Sequence, residues 1–274
     1  MITDDGFSEY EGTAQSMRHN KNGTQAVPVI PQGVETDGSR LRALIERASS
    51  AATHQHLLDV FERIEADRYL LEEMQRLQHA IATDTRYWDL CCVLWAYAEL
   101  FKPDVYLEIG VRRGRSASVV AAANPDVNLC LFDMWHPNYA GIGNPGPDFV
   151  RVQLERSGHR GETRFFSGRS QQTVPQFFGD TRQPQSIPLV TVDGDHRSTG
   201  ARADLDNVIA HLAPGGILVF DDICHPTYPN LRDLWTEFLA DHSHLCAEEN
   251  EIDATGTAFA MQPTFAPCHS RLGD

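Results

Sequence analysis

Residues 104–133 read DVYLEIGVRRGRSASVVAAANPDVNLCLFD. VYLEIG (105–110) is an apolar strand that runs into a glycine turn, SASVVAAA (116–123) is a short helix of small residues, and NLCLFD (128–133) is a second strand that closes on an acid. Downstream the alternation continues. A loop rich in Pro, Gly and Asn, WHPNYAGIGNPGPD (135–148), leads to a helix near 148–157, strand ETRFFSG (162–168), a helix near 170–179, strand IPLVTVDGD (187–195) and helix ARADLDNVIAHL (201–212). The turn APGG then gives strand ILVFDD (217–222), helix LRDLWTEFLADH (231–242) and a final strand GTAFAM (256–261). Strands that alternate with helices predict an α/β chain whose doubly wound, mostly parallel sheet is covered on both faces.

Upstream the period changes. Leu57, Phe61 and Ile64 keep helical spacing, and Leu70, Met74, Leu77 and Ile81 repeat it in steps of four, three and four. Asp84 to Leu100 reads as a further helix, with Trp88, Cys92 and Trp95 among its apolar positions and Pro103 closing it. Residues 1–38 lack periodicity and are expected to form a flexible tail or an arm on a partner subunit. The domain reading is therefore a tail over 1–38, a helical front end over 39–100 and a catalytic domain over 101–274. Trp88, Trp95 and Tyr97 on the front helices supply a homodimer contact in one reading and pack internally in the other.

With 41% hydrophobic residues, the 274-residue chain can bury a sizeable core. Its 23 basic and 38 acidic residues give a net charge of −15, which repels phosphates; neither a nucleic-acid nor a membrane partner is expected. Apolar runs such as ILVF (217–220) fall far short of the ~20 residues of a bilayer span, and the start MITDDGFSEYEG lacks the regions of a signal peptide. A soluble cytoplasmic protein is the expectation. Cysteines 91, 92, 130, 224, 246 and 268 form no C-x-x-C pair, so neither a disulfide framework nor a zinc ribbon is encoded. His242, His244 and Cys246 likewise lack the paired ligand blocks of a zinc site.

In a sheet of this kind ligands bind beyond the carboxyl ends of the strands, and here those ends are acidic. They carry Glu108 with Gly110 and Gly114, then Asp133, then Asp193, Asp195 and His196, then Asp221 and Asp222. Singly, each acid is a solvated group or a helix cap; their shared position marks a site. The dinucleotide pattern G-x-G-x-x-G fails, because from Gly110 its later glycines fall at Arg112 and Arg115. What remains is E-x-G-x-x-x-G, whose glycines admit a ligand close to the backbone. Asp133, 19 residues after Gly114, suits a ribose diol, since two hydroxyls can donate to one carboxylate. The same residues also read as a tight strand-to-helix turn and an ordinary strand-end acid.

On these residues the chain resembles the class I S-adenosylmethionine-dependent methyltransferases. YLEIGVRRGRS is similar to the family's first motif, FD at 132–133 to its ribose-binding acid, and HLAPGGILVFDD to its fifth-strand signature. VDGDHRSTGARADL together with FDD is similar to the small-molecule group that holds macrocin-type and catechol-type O-methyltransferases and cephalosporin-hydroxylase-like proteins. The resemblance implies a Rossmann-like sheet with its last strand antiparallel, behind an N-terminal helical extension. It implies that Glu108, Gly110, Gly114, Ser116, Asp133 and Asp193 hold S-adenosylmethionine, with Ser167 and Gly168 near the adenine side. It further implies Asp193, Asp221 and Asp222 as ligands of Mg²⁺ or Mn²⁺, and O-methylation of a small hydroxylated substrate such as a sugar, polyol or phenolic natural product. A hydroxylase-like or other non-methyl reaction on the same scaffold, or a noncatalytic cofactor-binding subunit, are the alternatives.

Three converging carboxylates raise one another's pKa unless a cation sits among them, and an all-oxygen set selects Mg²⁺ over zinc. His196 stands where the catechol-type pattern has a lysine, three residues beyond Asp193, and is the candidate base, because imidazole accepts a proton near neutral pH. It also reads as a helix cap or a partner of Asp195. His136, Tyr139, His225 and Tyr228, on the loops over the strand ends, are expected substrate or lid contacts.

Overall fold

In the computed structural model, which describes residues 37–137, 143–251 and 255–264, four helices precede the sheet: α1 (Asp37–Ala48), α2 (Ala51–Phe61), α3 (Arg68–Thr83) and α4 (Leu90–Phe101). Side-chain caps fix three of their starts. Ser50, Asp67 and Asp89 accept from the amides of Thr53, Leu70 and Cys92 at 3.2, 3.0 and 2.9 Å. The single helix expected from Asp84 therefore begins later. Asp84 ends α3 in the left-handed region, at φ 52°, and Asp89 caps α4. Short acidic side chains bond backbone groups at helix ends more readily than they support a helix interior.

The remaining elements are β1 (Val105–Ile109), α5 (Arg115–Ala123), β2 (Asn128–Asp133), α6 (Pro147–Ser157), β3 (Thr163–Ser167), α7 (Ser170–Gly179), β4 (Ile187–Val192), α8 (Ser198–Ile209), β5 (Leu212–Asp221), α9 (Leu231–Asp241), β6 (Cys246–Asn250) and β7 (Thr257–Met261). They form a seven-stranded sheet in the order β3-β2-β1-β4-β5-β7-β6. The first five strands are parallel, and β7 runs antiparallel to both β5 and β6. This is the Rossmann-like arrangement expected, with two departures. The sequence APGG lies inside β5, where the register against β4 shifts between Ile187 and Leu189, so an irregularity in pairing takes the place of a turn. β6, CAEEN, was not expected at all, since an edge strand needs no run of apolar residues.

Strand parity sorts the core. Tyr106, Leu129, Leu131, Leu189, Ile217, Val219 and Phe259 face α1–α6, and Leu107, Ile109, Phe132, Val190, Leu218 and Phe220 face α7–α9. The first nine residues of α4, Leu90 to Ala98, are all buried, which is why no polar stripe marks that helix. Trp88, Trp95 and Tyr97 pack within the chain; of the two readings of these residues, the internal one describes them. Cys91, Cys92 and Cys130 are buried free thiols, whereas Cys246 is disulfide-bonded, a pairing that spacing alone does not signal. Among the described residues, no helix is long and apolar enough to cross a membrane.

Candidate functional site

The strand order reverses between β1 and β4: the chain runs outward from β1 through β2 to β3 and then crosses back to place β4 on the other side of β1, and the crevice beyond their carboxyl ends is where a ligand enters such a sheet. Gly110 is at its centre. Its amide donates to Phe132 O and the Asp193 amide donates to Ile109 O, each at 2.9 Å, so the turn is tied to both neighbouring strands. A Cβ at Gly110 would lie 2.0 Å from the Asp193 carbonyl oxygen, and φ is +96°; only glycine fits. Gly114, at φ +75°, starts α5 against the side chain of Val150, which a Cβ would meet at 2.7 Å.

Glu108 precedes this turn and is fully buried. Its parity turns it toward α5, where Ser116 Oγ donates to Oε1, while Oε2 is buried with no hydrogen bond among the described residues. Burial pushes its pKa up to about 8; the Ser116 bond opposes the rise, and the charges of Asp193 and Asp133 add to it. Ser116 is thus committed to Glu108.

At the end of β2, Asp133 Oδ2 accepts from the Arg112 amide at 2.7 Å, which ties it to the β1–α5 turn. Its Oδ1 accepts from the Trp135 amide at 2.5 Å and from Asn144 Nδ2 at 3.2 Å. Ser167 pairs with Asp133 in the sheet register and accepts from Trp135 Nε1 at 3.1 Å; the Gly168 amide donates to Asp133 O at 3.0 Å. Asp133, Ser167 and Gly168 therefore share one edge of the crevice.

Across the crevice, His196 Nε2 lies 3.5 Å from Asp193 Oδ1 and 3.2 Å from Asp222 Oδ2. Burial disfavours its cation, but the Asp193 hydrogen bond and the charges of Asp193, Asp222 and Asp195 outweigh this and hold its pKa above the usual imidazole value. Asp195 is paired to Arg197, by Nε at 2.8 Å, and the guanidinium lowers its pKa. After β5, three successive turns carry the chain: the amides of His225, Tyr228 and Leu231 donate to the carbonyls of Asp222, His225 and Tyr228 at 3.0, 2.9 and 3.2 Å. Residues three apart return to one side, and the rings of His225 and Tyr228 stand 5.6 and 5.3 Å from that of His196. From the sequence these two residues are expected as substrate or lid contacts; their three-residue spacing from Asp222 is the signal that groups them with His196. The Thr227 amide donates to His225 Nδ1 at 3.1 Å, so neutral His225 carries its proton on Nε2.

Asp221 is not brought to this group. It shares parity with Ile217 and Val219, facing the α4–α5 layer, and its Oδ1 accepts from Thr257 Oγ1 at 2.6 Å. Among the described residues, the donors close enough together for an ion are those of His196, Asp222 and His225, within 4.8 Å of one another. Two nitrogens and one oxygen are a different donor set from the three aspartates that the resemblance implies for Mg²⁺; the residues do not fit that ion as they stand. His136 is exposed and bonded to Pro137 O, and Tyr139 lies outside the described residues.

Residues 107–223 match the model of a methyltransferase domain family. Among solved structures the chain is similar to the calicheamicin methyltransferase CalS11, at 20% identity and TM-score 0.50 over 77% of this chain and 91% of that one. It is also similar to the O-methyltransferase TomG from Streptomyces achromogenes, solved with S-adenosylmethionine (SAM), at 19% identity and TM-score 0.52 over 73% and 92%. A third likeness is to an O-methyltransferase from Bacillus cereus, at 16% identity and TM-score 0.50 over 77% and 97%. At these identities the likeness is one of fold. No curated protein sequence matches the chain.

Proposed function

We propose that this chain is a class I methyltransferase that transfers the methyl group of S-adenosylmethionine to a hydroxyl oxygen of a small molecule, with His196 as the base. One observation carries the reading: an imidazole flanked by two carboxylates faces, across the Gly110 turn, the edge formed by Asp133, Ser167 and Gly168. In this reading the nucleoside lies over Gly110, its ribose at Asp133 and its adenine beside Ser167 and Gly168. A nucleoside held there would present its methyl group on the side of β4 and β5, where His196 stands.

His196 accepts the proton of the acceptor hydroxyl. The oxygen attacks the methyl carbon in line, the carbon–sulfur bond breaks with its electron pair going to sulfur, and the imidazolium remains between Asp193 and Asp222, whose charges stabilise it. Placement of the oxygen against the methyl group supplies much of the acceleration. The rings of His225 and Tyr228, 5.2 Å apart and tilted 47° to each other, form an aromatic wall suited to a sugar, polyol or phenolic acceptor. Coordination of Mg²⁺ by all three aspartates would need Asp221 to turn away from Thr257, and no step above passes through the ion.

Titration calorimetry with S-adenosylmethionine, S-adenosylhomocysteine and NAD tests the cofactor. Both sulfur nucleosides are expected to bind and NAD is not. Binding of NAD in preference to both would end the reading.

A further inference from the structure

Asp133 has less room for a ribose than its position suggests. A carboxylate offers about four lone-pair directions, and three are taken by its own chain: the Arg112 amide on Oδ2, and the Trp135 amide and Asn144 Nδ2 on Oδ1. One direction, on Oδ2, is left for a diol that brings two hydroxyl donors. The neighbouring side chain carries the complementary vacancy. Asn144 Oδ1 is buried and has no hydrogen-bond partner among the described residues. Its amide cannot be reversed to relieve this, because the flip would set its oxygen against the Asp133 carboxylate. An unpaired buried carbonyl oxygen beside a nearly saturated carboxylate is an unusual pairing in a folded chain. The two together provide one acceptor for each hydroxyl of a diol.

We propose that Asn144 is a cofactor-binding residue: its Oδ1 accepts one ribose hydroxyl of the nucleoside while Asp133 Oδ2 accepts the other. Asp133 acts here twice, as an acceptor and as the group that orients the Asn144 amide. The inference rests on the nucleoside reading of the site and adds to it a specific dependence on the diol. Nothing in the sequence marked Asn144, which stands among the prolines and glycines of a loop where asparagine ordinarily serves a turn.

Calorimetric titration of the full chain with S-adenosylhomocysteine and with its 2′,3′-dideoxy analogue tests it. Asn144→Ala and Asn144→Leu should each weaken binding of the parent compound about tenfold, the effect of losing one buried hydrogen bond, and leave the affinity for the dideoxy analogue at the wild-type value. The unchanged analogue affinity also reports that the variants are folded. Equal losses for both ligands would reduce Asn144 to a structural role, and no loss for either would remove it from the site; both overturn the inference while the cofactor reading stands. Failure of the wild-type chain to bind S-adenosylhomocysteine would instead end the cofactor reading, and this inference with it.

Discussion

His196 Nε2 stands 3.2 Å from Asp222 Oδ2 and 3.5 Å from Asp193 Oδ1, so that one ring nitrogen, four residues past the end of β4, faces carboxylates contributed by two different strand ends. Such an arrangement favours the imidazolium and fits a base that must hold a proton once it has taken one.

His196→Ala should slow methyl transfer by roughly 10² to 10⁴ while leaving the affinity for S-adenosylhomocysteine within about twofold, since the ring lies across the crevice from Asp133. Single-turnover rates beside calorimetry separate the two effects. A variant that turned over at the wild-type rate would leave the histidine a structural partner of the two aspartates.

The pH dependence has a definite sign. A base works when neutral, and the His196 pKa is raised, with burial opposing and the Asp193 bond and surrounding carboxylates prevailing. The acidic limb of kcat/KM should therefore fall at a higher pH than for an ordinary histidine. Asp222→Asn removes one of the charges that raise it, so the limb should move to lower pH even as the maximal rate drops. A limb that stays in place would mean that Asp222 does not act through His196.

The fold was legible because four of the five strands of the parallel part end in a residue type the sequence displays openly: glycine after β1, acids at the ends of β2, β4 and β5. Less visible were features that depend on pairing rather than on period. β6 is an edge strand of the sequence CAEEN, whose middle residues need not be apolar, and APGG reads as a turn although it is held in β5 by its neighbours. In the site, Asp221 and Asp222 look equivalent in sequence. Strand alternation separates them, sending Asp221 toward Thr257, while Asp222 leaves the strand at φ 63° and meets His196. No period or spacing could have shown that the Asn144 amide would meet Asp133.

The Asp221–Thr257 bond gives a test of the magnesium question that does not depend on turnover. Thr257→Val keeps the buried shape and removes the hydroxyl that holds Asp221 Oδ1. If Asp221 can join Asp193 and Asp222 around an ion, loss of this bond should tighten Mg²⁺ binding several-fold in calorimetry. The expected result for the chain as folded is weak Mg²⁺ binding that Thr257→Val strengthens and Asp193→Asn abolishes. Tight binding in the wild type that Thr257→Val does not change would show that the ion is held without Asp221.

Glu108 makes the most sensitive probe of the site's electrostatics in the absence of any ligand. It is fully buried, and burial lifts its pKa to about 8 from the ordinary 4.5 of a glutamate, against the opposing bond from Ser116. Between these values the folded chain keeps a proton that the unfolded chain has already lost. Stability must then fall as pH rises through that window, by at most about 1.4 kcal/mol per unit, and level off above the folded pKa. Glu108→Gln carries no titrating group, and its amide oxygen can still accept from Ser116. Urea denaturation of the two proteins at pH 5 and pH 8 should show the variant gaining on the wild type as the pH increases. Parallel curves would mean that Glu108 is ionised in the folded chain at neutral pH, with a cation or water reaching its Oε2.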